Sequence, residues 1–197
     1  MGEVMAALDR RAAVARLLSR RADDLLVVTG LGSPSYDVMA AADDDRNYYL
    51  WAAMGAAAMV GLGLAKAQPQ KSVLVVTGDG ELMMGLGALA TIATQKPGNL
   101  TICVLDNGHF GETGMQASHA GMGVALDKVA ASMGFGWTAD IADMTGIDDL
   151  RARLSARDGV RLARVRIKAE NPPRVLPPRD GVHIKNRFRA ALGFAPI

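Results

Sequence analysis

The chain has 197 residues, of which half are hydrophobic, and its formal net charge is only +2. This length and composition suffice for a buried core and favour a folded chain over a disordered one, and the scattered basic residues disfavour nucleic acid as a partner. The N-terminus carries Glu3 and Asp9 between short apolar stretches, which fits neither a secretory signal nor a membrane span. We therefore expect a cytoplasmic protein with no membrane partner.

Along the first third of the chain, the pattern predicts a helix, a strand and a second helix. Apolar residues recur every three or four positions in 5–18, as in an amphipathic helix. Residues 25–28 are typical of a short buried strand, and the glycines and proline of 29–35 indicate a loop without regular structure. Residues 52–67 are rich in Ala and Gly, which favours a helix packed closely against a sheet.

Two apolar runs in the middle of the chain define the fold class. The β-branched run 72–77 has no polar alternation, as expected of a central parallel strand covered on both faces. A helical pattern at 82–94 separates it from the run 100–105, which contains the only cysteine, Cys103, in an apolar setting. We predict an α/β fold, a doubly wound parallel sheet of about five or six strands, with ligands at the carboxyl ends of the strands.

The last third of the folded domain contains weaker signals. A short helix is predicted at 126–133 and a short strand at 136–139. Thr145, followed three residues later by Asp148, resembles a capping box that opens a helix. Alternating apolar and basic residues at 160–167 predict a strand with one solvated or interface face.

The C-terminal segment differs in composition from the rest. Residues 171–197 contain five Lys or Arg residues and five prolines, four of which precede a last amphipathic turn or two. We therefore divide the chain into a domain at 1–170 and a basic tail at 171–197. Apart from Phe188, its basic residues lack interleaved aromatics, which disfavours nucleic acid or an acidic membrane as a partner. The prolines favour a strap that docks on a neighbouring subunit; a solvated tail is the alternative.

The ends of two neighbouring strands carry the main chemical signal. Gly78-Asp79-Gly80 ends one strand, and Asn107 ends the next, 28 residues after Asp79. Adjacent parallel strands joined by one crossover helix bring these ends within side-chain reach. A carboxylate and an amide oxygen suit Mg²⁺ bound to phosphate oxygens, and the glycines let the backbone approach a diphosphate. The alternative is that Asp79 caps a helix and Asn107 merely closes a turn.

The segment from Gly78-Asp79-Gly80 to Asn107 resembles the motif of thiamine diphosphate (ThDP) enzymes, which begins with GDG and ends in an asparagine-containing turn. The resemblance implies the family's diphosphate-binding (PP) domain, with ThDP and Mg²⁺ as cofactors. It also implies that Asp79, Asn107 and the backbone carbonyl of His109 bind the metal.

Two upstream segments extend this resemblance to the rest of the cofactor. The segment 50–55 is similar to the one that holds the aminopyrimidine, which gives the Ala52 carbonyl a hydrogen bond from the 4′-amino group. Met54 then wedges the cofactor into its bent shape, and the early loop contacts the diphosphate through Gly32 and Ser33. The expected cofactor-binding residues are Gly32, Ser33, Ala52, Met54, Gly78, Asp79, Gly80, Glu81, Asn107 and Gly111.

Within the family, the segments 85–92 and 106–116 look closest to the decarboxylases of phosphonopyruvate and sulfopyruvate. The resemblance covers about residues 20 to 170. It implies that a 2-oxo acid with a second acidic group loses CO₂ and gives an aldehyde. Another ThDP chemistry, carboligation or oxidation of a 2-oxo acid, is one alternative, and a non-catalytic subunit that kept the cofactor fold is another.

The expected catalytic residues are Met54, His109 and Glu112. His119 is a weaker candidate for acid or base chemistry, because a lone histidine is more often a loop residue. Thr113 and Gln116 either hydrogen-bond the substrate or order their loop.

ThDP enzymes activate the cofactor through a glutamate on a separate pyrimidine-binding domain. This chain is too short to hold that domain as well, and Glu81 follows the phosphate loop at the wrong end of the cofactor. We therefore expect a hetero-oligomer in which a pyrimidine-binding (alpha) subunit supplies the activating glutamate.

Overall fold

The structure is a computed structural model that describes residues 7–197. Its centre is a six-stranded sheet in the order β2-β1-β3-β4-β8-β7, in which every neighbouring pair is parallel, and β5 and β6 form a separate antiparallel pair. The strands are β1 (Leu25–Thr29), β2 (Asn47–Tyr49), β3 (Ser72–Gly78), β4 (Leu100–Asp106), β5 (His109–Phe110), β6 (Gln116–Ala117), β7 (Trp137–Ile141) and β8 (Arg161–Arg166). The predicted fold class is confirmed.

Helices cover both faces of this sheet. They are α1 (Arg10–Leu18), α2 (Ser33–Ala41), α3 (Ala57–Ala67), α4 (Asp79–Met84), α5 (Gly87–Gln95), α6 (Leu126–Ser132), α7 (Met144–Arg153) and α8 (Gly181–Ala191). Within residues 7–197, no helix has the length and apolar character needed to cross a membrane.

Each central strand contributes to two cores because successive side chains point to opposite faces. In β3, Val73 and Val75 pack with α3, α5 and α6, whereas Leu74 and Val76 pack with α1, α2 and α7. The absence of polar alternation in this strand therefore follows from burial on both sides.

The C-terminal tail folds back over the open edge of the sheet at β2. In α8, Ile184 and Phe188 are buried, and the Phe188 ring contacts Tyr48 edge to face with 5.5 Å between ring centroids. The indole Nε1 of Trp51 donates a hydrogen bond of 2.8 Å to the Pro178 carbonyl. The tail thus packs against the edge strand β2, which would otherwise be exposed.

Three local expectations were wrong. The predicted loop 29–35 already contains the start of α2 at Ser33, because proline is tolerated in a first turn. The predicted helix 82–94 is two helices that part near Gly85. At this break the backbone of Gly55 approaches so closely that a Cβ on Gly85 would lie 2.1 Å from the Gly55 carbonyl oxygen.

The capping-box prediction was also wrong. Helix α7 begins at Met144, and its N-cap is Asp143, whose carboxylate accepts a hydrogen bond of 2.8 Å from the Gly146 N–H. Asp148 instead pairs with Arg16 at 2.7 Å. The helix predicted at 5–18 begins at Arg10, and its first two positions lie outside the described residues.

Candidate functional site

A cavity of about 310 Å³ lies at the carboxyl ends of β3 and β4. The two strands pair in register as far as Gly78 and Leu105, so the residues that follow them emerge side by side. Asp79 follows Gly78, Asn107 follows the end of β4, and both line the cavity. The position agrees with the rule that parallel α/β sheets bind ligands beyond their carboxyl edge.

Asp79 is the first residue of α4, and only 2% of its surface is exposed. The buried hydroxyl of Ser118 donates a hydrogen bond to its carboxylate. Burial raises the pKa of Asp79, the neighbouring charge of Asp106 raises it further, and the Ser118 bond opposes both effects. A carboxylate in such a setting is stabilised by a cation.

Asn107 and His109 form a local turn through two hydrogen bonds. The Asn107 Oδ1 accepts from the backbone N–H of His109 at 2.9 Å, and the imidazole Nδ1 of His109 lies 2.7 Å from the Asn107 carbonyl oxygen. Because a carbonyl only accepts, Nδ1 carries the hydrogen, and Nε2 of the neutral ring is an acceptor. The amide oxygen of Asn107 has a second lone pair for another partner.

Asp106 lies beside these residues, but its carboxylate is already engaged. One oxygen accepts a bond of 2.9 Å from the backbone N–H of Gly108, and the other pairs with Arg164 on β8. Asp79 and Asn107 line the cavity, and both retain acceptor capacity there.

Close packing explains two of the glycines in the site. A Cβ on Gly80 would lie 2.5 Å from the ring of Phe110, which also lines the cavity. A Cβ on Gly30 would lie 1.6 Å from the Glu81 carboxylate. Glu81 is buried beneath the loops and accepts a hydrogen bond from the Thr77 hydroxyl, and burial raises its pKa.

The segment between β2 and α3 has an unusual backbone. Ala52 adopts φ of +60°, a left-handed conformation that costs a side-chain-bearing residue energy. Met54, two residues later, lines the cavity and has 43% of its surface exposed. A side chain that lines a cavity and is still this exposed is available to contact a ligand.

The mouth of the cavity is bordered by the turn between β5 and β6. Gly111, Glu112 and Thr113 line it there. The tail reaches the same turn, since Arg174 pairs with Glu112 at 2.8 Å and the Asn171 amide donates to the Gly111 carbonyl at 3.3 Å. This ion pair is exposed and contributes little to stability.

The side chains of Thr113 and Gln116 form hydrogen bonds within this turn. The Thr113 hydroxyl donates to the Gln116 side-chain oxygen at 3.2 Å, and the Gln116 amide donates back to the Thr113 carbonyl at 2.9 Å. Both residues thus order their own loop. His119 is exposed and is not among the residues that line the cavity.

The cavity brings together most of the residues singled out from the sequence. They are Ser33, Met54, Gly78, Asp79, Gly80, Glu81, Asn107, His109, Gly111 and Glu112. Gly32 and Ala52 border these residues in the chain without lining the cavity. Sequence reasoning missed Arg10 and Phe110 in its wall and Ser118 behind Asp79, because their contacts are far apart in the chain.

The donor atoms around the cavity fit a hard divalent cation. They are a buried carboxylate oxygen from Asp79, an amide oxygen from Asn107 and the backbone carbonyls of the adjoining turn. Within residues 7–197, no group of three or more His, Cys, Asp or Glu side chains is arranged to hold a metal. Oxygen atoms of water or of a bound ligand would fill the remaining coordination positions of such a cation.

Residues 35–164 match the family described as thiamine pyrophosphate enzyme, C-terminal TPP binding domain. The chain belongs to this family. The matched segment includes β3 and β4, and the cavity lies at the carboxyl ends of these two strands.

Two relatives differ in how much of their length the chain covers. It is 37% identical to the sulfopyruvate decarboxylase subunit beta of Methanothermobacter thermautotrophicus over 92% of this chain and 94% of that subunit. It is 36% identical to the phosphonopyruvate decarboxylase of Streptomyces viridochromogenes over 95% of this chain but only 47% of that protein.

The fold is shared with solved structures of larger enzymes. A thiamine diphosphate-dependent 4-hydroxybenzoylformate decarboxylase from Rhodococcus jostii RHA1 superposes with a TM-score of 0.69 at 20% sequence identity. The superposition covers 87% of this chain and 34% of the other. At this identity the likeness supports the fold alone.

Proposed function

We propose that this thiamine pyrophosphate enzyme is the diphosphate-binding subunit of a split decarboxylase that acts on an acidic 2-oxo acid such as sulfopyruvate or phosphonopyruvate. The observation that carries the proposal is the difference in coverage. The chain spans 94% of a sulfopyruvate decarboxylase beta subunit but 47% of a phosphonopyruvate decarboxylase. This chain matches about half of the phosphonopyruvate decarboxylase and nearly all of the beta subunit. Its length is therefore that of a subunit that works with a second subunit.

Asp79 and Asn107 hold Mg²⁺ in this proposal, together with the His109 carbonyl and oxygen atoms of the diphosphate. The support is the shared cavity at the ends of paired strands, the hard oxygen donors and the buried Asp79 carboxylate. Gly78, Gly80 and Gly111 lie in the same cavity wall, and glycines there allow the backbone to approach a phosphate group.

When bound, ThDP supplies an electron sink that stores the electron pair left by departing CO₂. The protein positions the reacting parts and controls the protons. Met54 would support the cofactor from the cavity wall, and the Ala52 carbonyl would accept a hydrogen bond from its 4′-amino group. His109 is a candidate proton carrier, because its Nδ1 is held by the Asn107 carbonyl and its Nε2 is free to exchange a proton.

Glu112 lies at the mouth of the cavity, where substrate enters. Its pairing with Arg174 places one carboxylate and one guanidinium at the entrance. We assign the pair to substrate access rather than to bond breaking, because both side chains are exposed.

The activating glutamate belongs to a pyrimidine-binding partner subunit. Glu81 is buried against Thr77 and Gly30 beneath the phosphate loops, and Glu112 pairs with Arg174. These contacts within the chain support an activating glutamate that comes from outside it. The relatives called subunit beta support a heteromeric assembly.

The tail at 171–197 is a second contact with that partner. Part of it packs on β2, but Leu176, Val182, Phe194 and Ile197 remain exposed apolar residues. Val182→Asp, on the outer side of α8, is expected to reduce co-purification of the partner, whereas Met144→Asp on the remote helix α7 is not. If the partner co-purified equally with both variants, the tail would only cover the edge of the sheet and would not contact the partner.

The cytoplasm is the proposed location. Cys103 is fully buried and unpaired, as is usual where disulfides do not form. Fractionation of cells that express the chain tests this, with recovery in the soluble cytoplasmic fraction expected.

The function is tested by expressing the chain with the protein encoded next to it and screening acidic 2-oxo acids for CO₂ release. Release of CO₂ with an equal amount of aldehyde is expected from the pair and from neither chain alone. Accumulation of an acyloin or of an acyl product would indicate another ThDP chemistry. Cofactor binding without turnover on any acid tested would favour a non-catalytic subunit.

A further inference from the structure

Arg10 is a buried cation in the wall of the same cavity. It is the first residue of α1, and 5% of its surface is exposed. The residues before it are fixed to the end of β8, where Leu8 donates to the Arg166 carbonyl at 3.0 Å and accepts from the Lys168 N–H at 2.9 Å. This bridge fixes the chain next to Arg10, which lines the same cavity as Asp79.

The guanidinium of Arg10 joins two elements that face the cavity. Its Nη1 donates to the Ser33 hydroxyl at 2.6 Å, and its Nε lies 3.1 Å from the Asp37 carboxylate. No hydrogen bond from its Nη2 is made within residues 7–197. Because a guanidinium has five N–H donors, part of its binding capacity is left for a ligand.

The cluster of Arg10, Arg11 and Asp37 carries a net positive charge and therefore a positive local potential. Asp37 is fully buried and is shared between Arg10 and Arg11, whose Nε lies 3.4 Å from its other oxygen. One carboxylate does not neutralise two guanidinium groups, and Asp9 is solvent-exposed and so is screened.

The start of α2 adds to this positive potential. Ser33 is its first residue, Gly32 precedes it with φ of +81°, and no side chain caps this nine-residue helix. Uncapped N–H groups and the helix dipole favour an anion. Ser33 and Pro34 line the cavity together with Arg10.

We propose that Arg10 and Ser33 form the subsite for the terminal phosphate of the diphosphate, and that Arg10 is what distinguishes a diphosphate from a monophosphate ester. The proposal rests on the proposed function, because it takes thiamine diphosphate as the ligand. A single divalent cation on the Asp79 side does not balance the charge of a diphosphate, and the guanidinium supplies the remaining positive charge. Guanidinium groups bind phosphate with paired, charge-assisted hydrogen bonds.

A purely structural role for Arg10 makes a different prediction. Removing one partner of a buried ion pair destabilises a protein, so Arg10→Met alone confuses folding with binding. Arg10→Lys keeps the charge but loses the planar fork, and Arg10→Met with Asp37→Asn removes both charges of the pair. Arg11→Met is the matched control, because Arg11 shares Asp37 but is not among the residues that line the cavity.

The experiment measures the affinity of the full chain, assembled with its partner subunit, for thiamine diphosphate and thiamine monophosphate in the presence of Mg²⁺. Thermal melts establish that each variant is folded. Arg10→Lys and the double variant are expected to lose about tenfold or more in affinity for the diphosphate, the usual size of a charge-assisted contact, with the monophosphate unaffected. Arg11→Met is expected to keep the preference for the diphosphate.

Three outcomes would overturn the proposal. The first is an equal loss for both ligands, which indicates a structural role. The second is an unchanged preference for the diphosphate. The third is unchanged cofactor affinity with a raised KM for the acidic substrate, which would place Arg10 at the substrate's acidic group. If the wild-type assembly fails to bind thiamine diphosphate with Mg²⁺, the proposed function itself fails. If the wild type binds and Asp79→Ala, measured in parallel, does not, the proposed function stands, and the Arg10 variants then test the Arg10 proposal alone.

Discussion

The Ser118 hydroxyl donates a hydrogen bond to the Asp79 carboxylate, although the two residues lie 39 positions apart. Both side chains are buried, so the bond fixes the orientation of the carboxylate at the end of β3. Groups that hold a metal ligand in place in this way affect metal affinity without touching the metal.

Ser118→Ala is expected to weaken Mg²⁺-dependent binding of thiamine diphosphate by about tenfold to a hundredfold, the range for lost outer contacts of metal sites. The reason is that Asp79 loses the donor that orients it. A Mg²⁺ titration followed by cofactor binding measures the effect. Ser132→Ala on the exposed side of α6 is the control, and an effect of equal size there would refute the positioning role.

Met54→Ala is expected to leave Mg²⁺ affinity unchanged and to slow hydrogen–deuterium exchange at C2 of the bound cofactor by about tenfold or more, since small misplacements of reacting groups have large kinetic effects. The measurement is the exchange rate in the assembled complex. Met59→Ala serves as the control, because Met59 is similarly exposed but does not line the cavity. An unchanged rate in Met54→Ala would count against its role as the wedge.

Ala52→Gly is expected to raise the free energy of unfolding by up to about 1 kcal/mol. Ala52 has φ of +60°, and relief of left-handed strain outweighs the added entropy of glycine in the unfolded chain. Ala53→Gly, without positive φ, is expected to lower the same quantity by about 0.5–1 kcal/mol. Urea unfolding of both variants measures the difference, and a loss of stability in both would show that position 52 is not strained.

Cys103 is expected to be inert toward thiol reagents in the native protein. It is fully buried in β4, and burial raises its pKa to about 12, so at pH 8 the reactive thiolate is scarce. Labelling should become rapid only when the chain is unfolded in denaturant. Rapid stoichiometric labelling of the folded chain would show that β4 is more accessible than its packing indicates.

The sequence predicted the strands best where a run of residues is uniformly apolar. The runs at 72–77 and 100–105 coincide with β3 and β4 because burial on both faces excludes polar residues from them. The GDG sequence and Asn107 could be placed together because the parallel topology leaves one geometry for consecutive strand ends.

Long-range contacts explain the errors and omissions. The helix predicted at 82–94 is broken because Gly85 meets the backbone of Gly55, and no local pattern encodes that approach. Asp148 looked like a cap residue, but its partner is Arg16 on another helix. Arg10 was missed for the same reason, since its place in the cavity depends on the bridge between Leu8 and Ile167.

Binding of thiamine diphosphate with Mg²⁺ and with a chelator, in the assembled complex, probes the metal assignment itself. In the wild type, Mg²⁺ should strengthen binding strongly, because in the proposed site Asp79 and Asn107 would hold the ion next to the diphosphate. In Asp79→Ala this Mg²⁺-dependent gain should disappear, whereas Asp149→Ala on the exposed side of α7 should retain it. Undiminished Mg²⁺-dependent binding by Asp79→Ala would show that the ion, if it binds, is held elsewhere.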